Sequence, residues 1–140
     1  MLSGPLTAGA FTPVTPARVY DSRLSTYALH GVLGSGQNRP ISVANSFDVN
    51  GTPVTANFVP IGATAVFANV TVVDTTGNGW LAINPGGTTA VSASSINWSA
   101  SGQILANGIS LTLNATRQIT VVNGSSGSTN FIIDVLGYYR

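Results

Sequence analysis

The 140-residue chain has five arginines, four aspartates, no lysine and no glutamate, so charged residues make up 6% of it, against about 25% in ordinary soluble domains. A formal net charge of +1 on scattered arginines cannot neutralise a run of phosphates or hold an acidic membrane, which argues against both as partners. The absence of cysteine rules out disulfides and thiolate metal sites. A 44% hydrophobic content in one domain's length supplies a single core. Its polar residues are Ser, Thr, Asn and Gln, which solvate a surface weakly and leave it open to association. An assembly subunit is therefore expected.

In chain order, residues 1–16 contain no charge, and Pro5, Pro13 and Pro16 favour extended backbone without a full hydrogen-bond ladder. This segment reads as a docking arm preceding a domain over 17–140. "MLSGPLTAGAF" has no basic n-region, so with Met1 as the natural start the protein is expected to be made without Sec export. A first strand is predicted near 17–21, and a looser stretch over 22–60 holds long loops and an edge strand near 40–49. "TAVFANVTVVD" (64–74) alternates, with Val66, Ala68, Val70 and Val72 on one face and Phe67, Asn69, Thr71 and Val73 on the other. "TTGNG" (75–79) offers turn chemistry, and 79–85 reads as the returning strand of a hairpin. Further strands are predicted over 94–99, 105–113 and 117–124. "SSGS" (125–128) is read as a hairpin loop leading to a final strand over 130–139. Sixteen glycines and seven prolines leave no helical pattern. The fold class is all-β: an antiparallel sandwich of about eight or nine strands, with a jelly roll as one topology among several.

Chemistry is scarce. His30 is the only histidine, in the loosest stretch, with no Gly-x-Ser-x-Gly elbow to accompany it; it reads as a loop or interface residue. Asp48 and Asp74 sit before turn residues and read as turn caps. Neither paired catalytic carboxylates nor a calcium-type acidic loop is evident, so no catalytic residue, metal or cofactor is assigned. Sequons beginning at Asn69, Asn97, Asn114 and Asn123 are expected by chance in such a composition. Trp80 and Trp98 are candidates for a sugar-stacking platform or for core and interface anchors, the latter favoured.

"FTPVTPARVYDSR" concentrates three of the nine charges in residues 18–23. In the final strand Asp134 shares a side with Ile132 and Leu136, and a buried carboxylate demands a partner. Arg18 or Arg23 is expected to pair with Asp134, with Asp21 balancing the other arginine or tying its own turn. The cluster is read as a brace between the first and last strands rather than a reaction centre.

Those blocks, with "GATAVFANVTVVDTTGNGWLAINPGG", "SSINWSASGQILANG" and "IIDVLGYY", resemble a β module of secreted and cell-surface proteins of actinobacteria and other bacteria, also found in phage virion proteins. The resemblance spans about residues 11–139, with Asp21-Ser22-Arg23 in place of the module's commoner Asp-Thr-Arg, and it carries no catalytic residues to transfer. As a stand-alone low-charge copy, the chain is similar to a tailed-phage capsid cement or decoration protein. That implies a virion location, the major capsid protein as partner, and self-association as a homotrimer. The binding elements would then be Leu2, Pro5, Leu6 and Phe11 of the arm, with Phe67 and Val73 on a sheet face. The alternative is a carbohydrate-binding or adhesion module of a secreted or cell-surface bacterial protein, using Trp80 and Trp98.

Overall fold

The long strands of the computed structural model, which describes residues 9–140, owe their form to β-branched and small residues alternating with polar ones. The described residues contain ten strands and no helix: β1 Phe11–Asp21, β2 Asn38–Ser42, β3 Ser46–Phe47, β4 Pro53–Thr55, β5 Ala65–Thr76, β6 Gly79–Pro85, β7 Ile96–Trp98, β8 Leu105–Thr112, β9 Gln118–Val122 and β10 Ser128–Tyr139. They form two antiparallel sheets, ordered β4-β3-β1-β10-β5-β8 and β2-β9-β6-β7. The all-β sandwich is thus as the sequence predicts.

The topology is more specific. Apart from the β3–β4 hairpin, the other strands, taken in chain order, run first-eighth-third-sixth in one sheet and second-seventh-fourth-fifth in the other. This is the connectivity of a jelly roll. Two expected hairpins do not exist. β5 and β6 lie in different sheets, as do β9 and β10, so "TTGNG" and "SSGS" are arches across the sandwich. Gly, Asn and Ser reverse the chain in either setting; which sheet the next strand joins depends on distant pairing, here of β6 with β9.

The first strand begins earlier than expected. β1 starts at Phe11, opposite Tyr139, so the boundary expected after residue 16 falls inside a strand. The prolines leave their mark instead on the ladder, whose register is interrupted between Pro13 and Ala17, where missing N–H groups cannot pair. Leu2, Pro5 and Leu6 lie outside the described residues.

Val66, Ala68, Val70 and Val72 of β5 and Phe131, Ile133 and Val135 of β10 face inward onto Leu81, Ile119 and Val121 of the second sheet. The opposite faces of β5 and β10 form the outer surface of the six-stranded sheet.

Candidate functional site

On that outer surface the register draws one transverse row over five strands. Arg18 lies between Phe47 of β3 and Asp134 of β10; Asp134 lies opposite Asn69 of β5, and Asn69 opposite Gly108 of β8. Over the row sits an open concavity of about 610 Å³, walled by Pro16, Phe47, Val49 and Leu136.

Arg18 Nε donates to Asp134 Oδ1 at 2.9 Å and Nη2 to Oδ2 at 3.4 Å, and Nη1 stands 3.5 Å from Asp21 Oδ2. Residues three apart on a regular strand face opposite ways. The irregularity between Arg18 and Tyr20 adds the residue that returns Asp21 to the same face. Asp21 is 0% exposed. It accepts from Arg23 Nε at 3.0 Å, Arg23 Nη2 at 2.8 Å and the Arg23 backbone N–H at 3.0 Å. Burial works to raise its pKa, but the Arg23 hydrogen bonds and the charges of Arg23 and Arg18 outweigh it and hold the carboxyl below its usual value. Chiefly through its hydrogen bond to Asp134, Arg18 is held still more firmly protonated. Next along the chain, Ser22 Oγ accepts from the Phe131 N–H at 2.8 Å and donates to Asn130 Oδ1.

The four clustered charges therefore meet across β1, β10 and the turn after β1. A carboxylate so stabilised as an anion is a poor proton acceptor at neutral pH, and the geometry is that of a brace. Asp134 is less buried than its apolar neighbours imply, with its side chain 26% exposed, because it shares the outer face.

The other candidates fall elsewhere. Asp48 caps its own turn, accepting from the Asn50 and Thr52 N–H groups. Asp74 does not cap its own backbone: it has φ +55° and accepts from the Asn130 amide, beside the irregularity between Ser128 and Asn130 that displaces it from regular pairing. His30 Nδ1 donates to the Tyr27 carbonyl at 2.8 Å. Among the described residues no cluster of three or more His or Asp could hold a metal ion. Phe67 lies over Gly108, and Val73 lies opposite Asn130. Phe11 packs on Tyr139, with ring centroids 4.9 Å apart, and covers Gly137. Trp98 is 4% exposed; its ring covers Gly79, and its indole N–H donates to the Thr76 carbonyl at 3.2 Å. That places Trp98 in the core, while Trp80 is half-buried and backed by Gly124.

Three structural residues escape a sequence reading. Asn123, noticed only as a sequon, is wholly buried and donates to the Leu33 and Gly127 carbonyls. Arg39 donates to the Tyr20 hydroxyl and the Gly31 carbonyl, tying β2 to the loop before it. Tyr27 has a buried hydroxyl without a partner among the described residues. Burial first, then the nearby Asp21 charge, pushes its pKa up to about 12.

A phenol whose pKa rises on folding stabilises fully below its unfolded value, about 10, and loses that contribution as pH climbs through the folded value. Wild-type stability is expected to begin falling near pH 10, and Tyr27→Phe to flatten that limb. Urea midpoints between pH 8 and 11 measure it, and identical slopes in the two proteins would refute it.

Neither a protein-family model nor a curated protein matches the chain.

Proposed function

We propose that the protein is a non-enzymatic structural subunit that coats a larger shell as a homo-oligomer: a capsid cement or decoration protein on the outside of a phage virion, bound to the major capsid protein. The observation that carries this reading is where the charge goes. Eight of the nine charged residues, Arg18, Asp21, Arg23, Arg39, Asp48, Asp74, Arg117 and Asp134, hydrogen-bond within the chain; the ninth, Arg140, ends it. Little charge is left to keep neighbours apart, so association costs little desolvation. Phe67 and Val73 present apolar area on the broad outer face. A jelly roll does not by itself decide the function; the charge economy favours a partner-covered surface.

The test is direct. Purified protein is added to shells of the major capsid protein from the phage that encodes it, followed by co-sedimentation and a thermal scan of the shells. Saturable binding with a raised shell melting temperature is expected; protein left in the supernatant rejects the reading.

A further inference from the structure

Among the described residues the two sheets have four strand edges, and three are guarded against pairing with another chain. β4 is three residues long and begins with Pro53; β2 carries Arg39 and Pro40 at its centre; β7 is three residues long. Short length, proline and charge are the usual means of blocking an edge. β8 has none of them. It runs eight residues, LANGISLT, without proline, charge or bulge, and among the described residues it pairs only with β5.

The hydrogen-bond phase shows which groups its free edge presents. The Ser22 N–H donates to the Phe131 carbonyl, so Phe131 and Ile133 bond toward β1, and Ile132 and Asp134 toward β5. Their partners Thr71 and Asn69 bond toward β10, so Val70 and Ala68 bond toward β8, engaging Asn107 and Ile109. The Leu113 N–H, donating to the Thr64 carbonyl at 2.9 Å, continues the same phase. Ala106, Gly108, Ser110 and Thr112 are left with N–H and C=O directed away from the sheet. Among the described residues no backbone or side-chain hydrogen bond reaches these groups.

We infer that β8 pairs with β8 of a second copy, antiparallel about a two-fold axis, joining two six-stranded sheets into one. A second copy fits this edge for a geometric reason. With Gly108 opposite Ser110 of the other copy, and Ala106 opposite Thr112, every outward group on both strands finds a partner. A slip of two residues leaves some unpaired. Side chains on the outer face at the seam are small, and the two Ile109 side chains meet on the axis at the core side. Leu105, 38% exposed, comes opposite Leu113 of the other copy. With no charge on the strand, a self-facing contact meets no like-charge repulsion.

The inference rests on the self-association in the assembly reading above, names its contact, and puts a two-fold pair in place of the homotrimer that the resemblance implies. Light scattering of the full chain is expected to give twice the chain mass, with slow amide exchange at residues 106, 108, 110 and 112. Ser110→Pro removes an outward N–H and is expected to halve the mass. A106K/T112K opposes lysines across the axis and is expected to be monomeric with an unchanged far-ultraviolet spectrum, which guards against a variant that merely misfolds. Mixing it with A106E/T112E is expected to restore the dimeric mass. A wild-type monomer or trimer, or a dimer whose mass these variants leave unmoved, overturns the inference. A β8-dependent dimer that fails to bind shells rejects the shell reading and leaves the contact standing.

Discussion

Replacing Asp21 with alanine is expected to destabilise the protein by about 3 kcal/mol, the lower part of the range for removing one partner of a buried ion pair. The carboxylate is wholly buried, and its loss strands the Arg23 side chain and backbone N–H together with part of the Arg18 charge. The Arg23 side chain is 41% exposed and can turn to water, which keeps the cost from the top of the range. In a chain of this length the melting temperature should fall by about 10 °C. Asp134→Ala removes the other half of the brace but should cost only about 1 kcal/mol, because Asp134 is partly solvated and Arg18 retains Asp21. The acid limb supplies an independent check. A carboxyl whose folded pKa is depressed stabilises above its unfolded value, about 3.9, and loses that contribution as pH falls through the folded one. Wild type and Asp21→Asn should therefore differ most at neutral pH and converge once the pH has fallen through the depressed folded-state value. Urea midpoints for the three variants measure this, and equal costs for Asp21→Ala and Asp134→Ala would contradict the hierarchy.

That hierarchy was only half legible in the sequence. Alternation in residues 64–74 and 130–139 gives the strands, because the period of a strand is a local property of the chain. It does not give the inward side, since Phe131, Ile133 and Val135 line the core while Asp134, read as buried beside Ile132 and Leu136, lies on the outer face. Charge scarcity alone narrowed the partner of Asp134 to Arg18 or Arg23, since a chain with nine charges has few ways to satisfy a carboxylate among apolar neighbours; the choice of Arg18 came only with the fold. Asp21 as the most buried member was hidden, because its direction depends on the irregularity after Arg18, and no residue type there announces a bulge. The arches after β5 and β9 were misread for a related reason: turn residues encode reversal, while sheet membership depends on partners far away in the chain. The β8 edge was visible as a strand but not as an edge, a property that exists only once the other strands have been placed.

The second large effect concerns Trp98, whose indole lies where a Cβ on Gly79 would be. Trp98→Ala is expected to cost about 3–5 kcal/mol, as for other buried aromatics, with the Thr76 carbonyl losing its indole donor. Gly79→Ala attacks the same contact from below. The added methyl runs into the ring, and since Gly79 pairs with Trp98 across the β6–β7 ladder, the backbone cannot yield without breaking that pairing. A cost of about 2–3 kcal/mol is expected for this overpacking. Because both changes act through one contact, they should be strongly non-additive. In a Trp98→Leu background the smaller side chain leaves room for the methyl, and Gly79→Ala should cost less than about 1 kcal/mol. A double-mutant cycle by urea denaturation measures the coupling. An additive cycle would mean that the glycine serves the backbone of the arch instead of the tryptophan, and the packing account of this corner would have to be abandoned.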